Sequence, residues 1–172
     1  GATKVGTSFG LEIIDEAKLI LNSKETKEQK SQKLSEIALK TVDINGLAYY
    51  TLGKKRKELS KEELEKYKII FEKYFLKSFT SRLTDYSDPK ISVLSSEIVN
   101  EKYTIVKTML LATSKKPEVK IDWRVYTKDP ENPLIRDLIV EGLSLARTQK
   151  EEFASVIESN DGDVTKLFEK LK

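Results

Sequence analysis

Apolar residues return at three- and four-residue steps early in the chain, where Phe9, Ile13, Ile14, Ala17 and Ile20 form one stripe. That spacing predicts an amphipathic helix. A polar stretch, Ser23 to Gln32, separates it from a second short stripe made by Leu34, Ile37, Ala38 and Val42. Asp43 is placed to cap a brief helix running through Leu47 and Tyr50, and Gly53 to stop it. The run Lys54-Lys55-Arg56-Lys57 reads as a solvated connection, with an anion site as the alternative. Ser60-Lys61-Glu62-Glu63 is a capping box: the Ser60 hydroxyl can accept from the Glu63 N–H while the Glu63 carboxylate reaches back to the Ser60 N–H. The helix it opens carries Tyr67, Phe71, Phe75, Phe79 and Leu83 at every fourth position and ends near Tyr86. A four-residue repeat drifts slowly round a helix of about 3.6 residues per turn, so the row wraps as a ridge. Lys68, Glu72, Lys73 and Lys77 lie opposite.

After Ser87-Asp88-Pro89 the period changes. Segments 91–99, 103–113, 119–126 and 134–145 are β-rich and are separated by turn residues, including Asn100-Glu101 and Asp129-Pro130-Glu131-Asn132-Pro133. Links this short favour antiparallel hairpins over parallel crossovers. In the third segment Val119, Ile121, Trp123 and Val125 alternate with Lys120, Asp122 and Arg124, which predicts one buried and one solvated face. From about Ser144 the helical period returns through Ala146, Phe153, Val156 and Ile157. Asn160-Asp161-Gly162 breaks it, and Asp163 caps a last helix with Val164, Leu167, Phe168 and Leu171. The expected fold is α+β, with helices packed on one face of a four-stranded antiparallel sheet.

Composition narrows the chemistry. The 172 residues suit one domain. Lys+Arg number 31 against 28 Asp+Glu, and a net +3 from two nearly cancelling terms argues against a dedicated nucleic-acid binder. No apolar run reaches the roughly 18–20 residues of a membrane span, so permanent insertion is not expected. There is no His and no Cys. Histidine-based triads, His-ligated zinc, thiol nucleophiles and disulfides are thereby excluded, and no metal or cofactor is expected. Lack of cysteine also fits an oxidising compartment. Gly1-Ala2-Thr3 has no initiating Met and no apolar leader. Residues 1–3 are read as a cloning scar on a mature form ahead of a single domain, 4–172, which leaves a removed signal peptide open.

Two stretches go beyond composition. Leu52-Gly53, Ser60 and the row Tyr67, Phe71, Phe75, Phe79, Leu83, Tyr86 resemble the central pattern of the MlaC family, toluene-tolerance-type periplasmic components of an ABC lipid-transport system. Asp122-Trp123-Arg124, followed by Asp137-Leu138-Ile139-Val140-Glu141-Gly142-Leu143-Ser144, is similar to that family's strand and its D-x-x-x-E-G-V-S signature. Phe153 and the Gly162 turn fall where the family has its terminal aromatic and G-x-x-x-L ending. Arg56 stands where the family usually has an aromatic, and Pro133 where a Trp commonly precedes the Asp strand.

The resemblance implies a periplasmic phospholipid carrier that is not an enzyme, with an apolar cavity between helices and sheet. Its partners would be an inner-membrane ABC transporter complex and an outer-membrane lipoprotein complex. The expected cavity wall is Tyr67, Phe71, Phe75, Phe79 and Leu83 from the ridge, facing Val106, Leu110, Trp123, Val125 and Ile139 from the strands. By residue type alone the ridge and Trp123 read equally well as ordinary core. An interaction module with a filled core and a small enzyme for an apolar substrate therefore stay open. The enzyme would draw on Asp122, Asp137 or Glu141. Asp137 and Glu141, four apart in one expected strand, would share a face. They read either as an acid–base pair or as structural acceptors beside Gly142.

Overall fold

Helix α1 (Ala2–Leu21) is the first apolar stripe, and the computed structural model describes residues 2–86 and 88–172. Gly1, the first residue of the expected scar, and Ser87, within an expected separator, lie outside the described residues. Helix α2 (Lys27–Thr41) starts inside the polar stretch, earlier than its apolar stripe suggests. Thr26 and Gln29 form a capping box there, which sets the start without any apolar residue. Helix α3 (Ile44–Leu52) is capped by Asp43, whose carboxylate accepts from the Gly46 N–H, and ends at Gly53 with φ of 56°. The four basic residues are wound into a 3-10 turn, Gly53–Lys57, where a loop was expected. Helix α4 (Lys61–Leu83) opens on the Ser60–Glu63 capping box.

Strands β1 (Ile91–Ile98), β2 (Tyr103–Leu110), β3 (Val119–Tyr126) and β4 (Leu134–Val140) follow as an antiparallel meander. The sheet has five strands where four were expected, because the segment 134–145 is not continuous. It breaks after Val140 at Glu141-Gly142, both with positive φ, and returns as β5 (Leu143–Ser144). Two central residues with positive φ make the two-residue hairpin turn whose twist matches the strands, and the second of them is the position that suits glycine. Helices α5 (Leu145–Ser159) and α6 (Val164–Leu171) close the chain. The α+β class stands. No helix among the described residues is long and apolar enough to cross a membrane.

Burial divides into two clusters. In the first, α3, α4, α5 and α6 enclose Tyr67, Phe71, Phe153, Leu167 and Phe168. In the second, Ile14 of α1 covers Val106, Trp123, Val125 and Ile135 of the sheet, with Phe9 and Ile13 packed alongside. Val42 touches both. Beside it, the Asp43 N–H donates to the Ile135 carbonyl at 2.9 Å and Arg136 Nε reaches Asp43 Oδ2 at 3.1 Å, tying the start of α3 to β4.

Candidate functional site

Between the first half of α1 and the tip of the β3–β4 hairpin lies a groove of about 650 Å³, open to solvent. Val5, Ser8, Phe9 and Glu12 of α1 form one side, and Pro130, Glu131, Asn132, Pro133 and Leu134 form the other. Two prolines fix φ at the loop and stiffen that wall. Lys40, at the C-terminal end of α2, stands at the rim. It is exposed and enters none of the ion pairs found among the described residues. Phe9 belongs both to the groove and to the packing around Val106 and Trp123, so this side chain stands between the groove and the sheet core. The volume falls within the roughly 300–1,000 Å³ of small-molecule sites.

Five of the expected wall residues come from the sheet, and four of them share a face. Register pairs Val106 with Trp123, and strand alternation puts Val125 and Leu110 on the same side. Val106 and Val125 are wholly buried and Trp123 is 8% exposed. Ile139 does not share that face. It pairs with Asp122, while its neighbour Leu138 pairs with Trp123, so the sheet itself separates Ile139 from the wall.

The ridge residues divide along α4, and the expected arrangement of the ridge facing Trp123 is not met. Tyr67 stacks near Phe71 and Phe168, at 5.9 and 5.5 Å between ring centroids, and Phe71 meets Phe153 edge-on. These two rings pack against other helices, because the aromatic residues of α5 and α6 return to them from the far end of the chain. Tyr67 is fully buried, and its hydroxyl lies 2.7 Å from the Thr51 hydroxyl. Burial pushes the phenol well above the ordinary tyrosine range, against the opposing pull of that hydrogen bond. Phe75 stacks on Phe71 and Phe79 on Phe75. Phe79 and Leu83 are half-buried and are packed against neither cluster.

The carboxylates of the signature have local work. Asp137 accepts from the Ser144 hydroxyl and, at 3.0 Å, from the Ala146 N–H, while Ser144 Oγ caps α5 by accepting from the Arg147 N–H. Glu141 lies in the turn and not in the strand, and its carboxylate accepts from the Lys120 N–H at 2.6 Å. The two therefore do not form a same-face pair. The signature residues build the β4–β5 turn and anchor the start of α5.

A family model described as MlaC protein matches residues 11–172. The chain belongs to the MlaC family. Among solved structures, this MlaC-family chain is similar in fold to the phospholipid-binding protein from Ralstonia solanacearum, solved in complex with a phospholipid. The TM-score is 0.80 at 16% identity, covering 96% of this chain and 94% of that one. No curated protein sequence matches the chain. The groove escaped the sequence reading. Phe9 was visible only as one member of a helical stripe, and Pro130 and Pro133 only as turn residues.

Proposed function

We propose that this MlaC-family chain binds phospholipid and carries it through the periplasm, between an outer-membrane lipoprotein complex and an inner-membrane ABC transporter complex that supplies the energy. The observation that carries the reading is the groove, which opens to solvent and is lined by Phe9, a side chain that also packs on the cluster of Val106, Trp123 and Val125. Two acyl tails hold about 30 methylenes, and exposing them to water costs on the order of 25 kcal/mol. A diffusing carrier must therefore take the tails inside. Lys40, in no ion pair found among the described residues, supplies a cation for the headgroup phosphate. Phe75, Phe79 and Leu83, half-buried on α4, are the part of the ridge with surface left for a ligand. The likeness in fold to a protein solved with a phospholipid bound supports the same reading.

The carrier performs no catalysis in this reading. Asp137 and Glu141 hold the β4–β5 turn and the α5 cap, and Asp122 projects from the sheet face opposite Trp123. The test is organic-solvent extraction of the purified protein followed by mass spectrometry. Phospholipid at close to one molecule per chain is expected. Failure to find any, both as purified and after incubation with phospholipid vesicles, overturns the reading.

A further inference from the structure

The basic run after α3 takes no part in the groove or in either core. Lys54, Lys55, Arg56 and Lys57 set four positive charges side by side, which no other stretch of the sequence does. They exceed the net +3 of the whole chain, so the remaining residues together carry one more negative charge than positive.

The turn is held in place while most of its charge is left outside. Lys55 is the anchor. Its ammonium donates to the Gly162 carbonyl at 3.3 Å and pairs with Glu58 at 2.9 Å, tying the turn to the link between α5 and α6. A Cβ on Gly53 would stand 3.1 Å from Lys150 Cε, so the stem of Lys150 passes against the turn and brings a fifth cation beside the run. The Lys150 ammonium lies 5.1 Å from the centre of the Tyr50 ring. Lys54, Arg56 and Lys57 are exposed and enter none of the ion pairs found among the described residues. Of the acids that follow, Glu58 is taken by Lys55 and Glu63 by the Ser60 N–H, which leaves Glu62 on the first turn of α4. Like charges this close repel, and no partner in the fold offsets that cost.

The shape of the cluster selects its partner. A 3-10 turn has three residues per turn, so Lys54 and Lys57 leave from one side and Arg56 from about a third of a turn away. Charges that fan out do not converge on a single phosphate or carboxylate. A protein partner would need aromatic or aliphatic anchors at the centre of the patch, with lysine at the rim. From Gly53 to Ser60 the one apolar side chain is Leu59, and it is half-buried against the helical core. The near-balance of charge over the chain argues against a nucleic acid. A bilayer surface rich in anionic lipid asks only for a layer of positive charge.

We propose that the turn Gly53–Lys57, with Lys150 beside it, docks the protein on the surface of a bilayer containing anionic phospholipid. Fields between exposed charges fade over about 8 Å at physiological salt, so the slight acidity of the rest of the chain does not oppose a contact made through this turn. The surface is separate from the groove. Helix α3, nine residues and about 14 Å long, lies between the turn and Asp43, three residues after the rim residue Lys40. Docking therefore does not require a lipid in the groove.

The test is sedimentation with vesicles of phosphatidylcholine alone, or of equal parts phosphatidylcholine and phosphatidylglycerol. Each Lys or Arg near an anionic surface contributes about fivefold to partitioning, so loss of three costs on the order of a hundredfold. The variant K54Q/R56Q/K57Q removes the exposed charges of the turn and keeps Lys55. The control K66Q/K73Q/K77Q removes the same charge from exposed lysines of α4 that enter no ion pair found among the described residues. At low ionic strength the wild type and the control are expected to pellet with the mixed vesicles and not with phosphatidylcholine alone. The turn variant is expected to bind on the order of a hundredfold more weakly. Equal binding by the turn variant, or an equal loss in the control, overturns the proposal. A wild type that stays in solution with both vesicles overturns it in favour of an acidic protein face as the partner. None of these outcomes touches the lipid-binding reading, which solvent extraction judges separately. Should the turn variant fail to fold by circular dichroism, Arg56→Gln decides: about fivefold weaker binding is expected, and unchanged binding overturns the proposal.

Discussion

Tyr67 and Trp123 each sit at the centre of a core, but the surroundings differ. Tyr67 is fully buried in a cluster built from four helices, with rings of α4 and α6 against it and its hydroxyl satisfied by Thr51 of α3. Trp123 lies on a strand face whose helical cover comes chiefly from α1. The apolar residues of α6, Val164, Leu167, Phe168 and Leu171, are all buried, whereas α1 leaves Leu11 and Leu19 exposed and Phe9 and Ile13 half-buried. A core closed from several sides cannot yield one wall without losing all its contacts. A core closed by one amphipathic helix can exchange that cover. The first arrangement suits a fixed scaffold and the second suits a binding surface.

The largest effect that separates them is expected from Phe71→Ala. Loss of a ring buried on every side costs about 3–5 kcal/mol. In a chain of this length that lowers Tm by roughly 10 °C, read by far-UV circular dichroism. Ile14→Ala removes a buried side chain from the singly covered core, where the site can collapse, so a cost near the lower end, about 2 kcal/mol, is expected. Its mark should be a red shift of Trp123 emission with helix content retained; an unchanged emission maximum would mean that α1 does not cover the indole.

Tyr67→Phe tests the closed core through pH. The unfolded tyrosine loses its proton near 10, whereas burial holds the folded one protonated well above that. From about pH 10 upward the unfolded state therefore binds fewer protons than the folded state. The contribution to stability is complete below pH 10 and drains away as pH rises, by up to about 1.4 kcal/mol per unit. Urea unfolding between pH 9 and 11 should show a shallower decline in Tyr67→Phe than in the wild type, and parallel curves would contradict the burial argument.

Phe79→Asp is expected to lower stability by less than about 1 kcal/mol, because a half-buried position lets the new carboxylate reach water. It should nevertheless reduce copurified lipid, since a charge against an acyl chain must be desolvated or protonated. Undiminished lipid would confine the site to the sheet face. The smallest effect is expected at the junction of the cores. Asp43→Asn weakens the pair with Arg136, which is about one-third exposed, so the loss should be under about 1 kcal/mol and shrink further in salt. Thermal melts at low and high ionic strength measure it.

Much of the fold was legible because it is written in local chemistry. The Ser60–Glu63 box, the Asp43 and Asp163 caps and the Gly53 stop are short-range signals, and each marks the end of a helix in the structure. The start of α2 was missed because its first two turns carry no apolar stripe, although Thr26 and Gln29 were present as a capping box. Glu141-Gly142 looked like strand because β-rich residues flank it on both sides, and only its positive φ values reveal the turn. The candidate site was harder. Residue type marks Tyr67, Phe71 and Trp123 as buried but does not say which partners bury them. The rings that surround Tyr67 and Phe71 come from Phe153 and Phe168, more than 80 residues away in the chain, and no periodicity announces that.

The order of elements has a consequence for how the chain comes together as it is synthesised. Every strand in the sheet pairs with its neighbour in sequence, so the meander can zip as soon as it emerges. Helices α3 and α4 emerge earlier but have no finished core to join. Their partners α5 and α6 are the last elements made, and the whole sheet is threaded between the two halves. The exposed ridge of α4 must therefore wait, with its aromatic side chains in water or held by a chaperone. Pulsed hydrogen exchange during refolding is expected to find the β2–β3 amides protected before those of α4. The fixed scaffold of the finished protein would then be the last part to form.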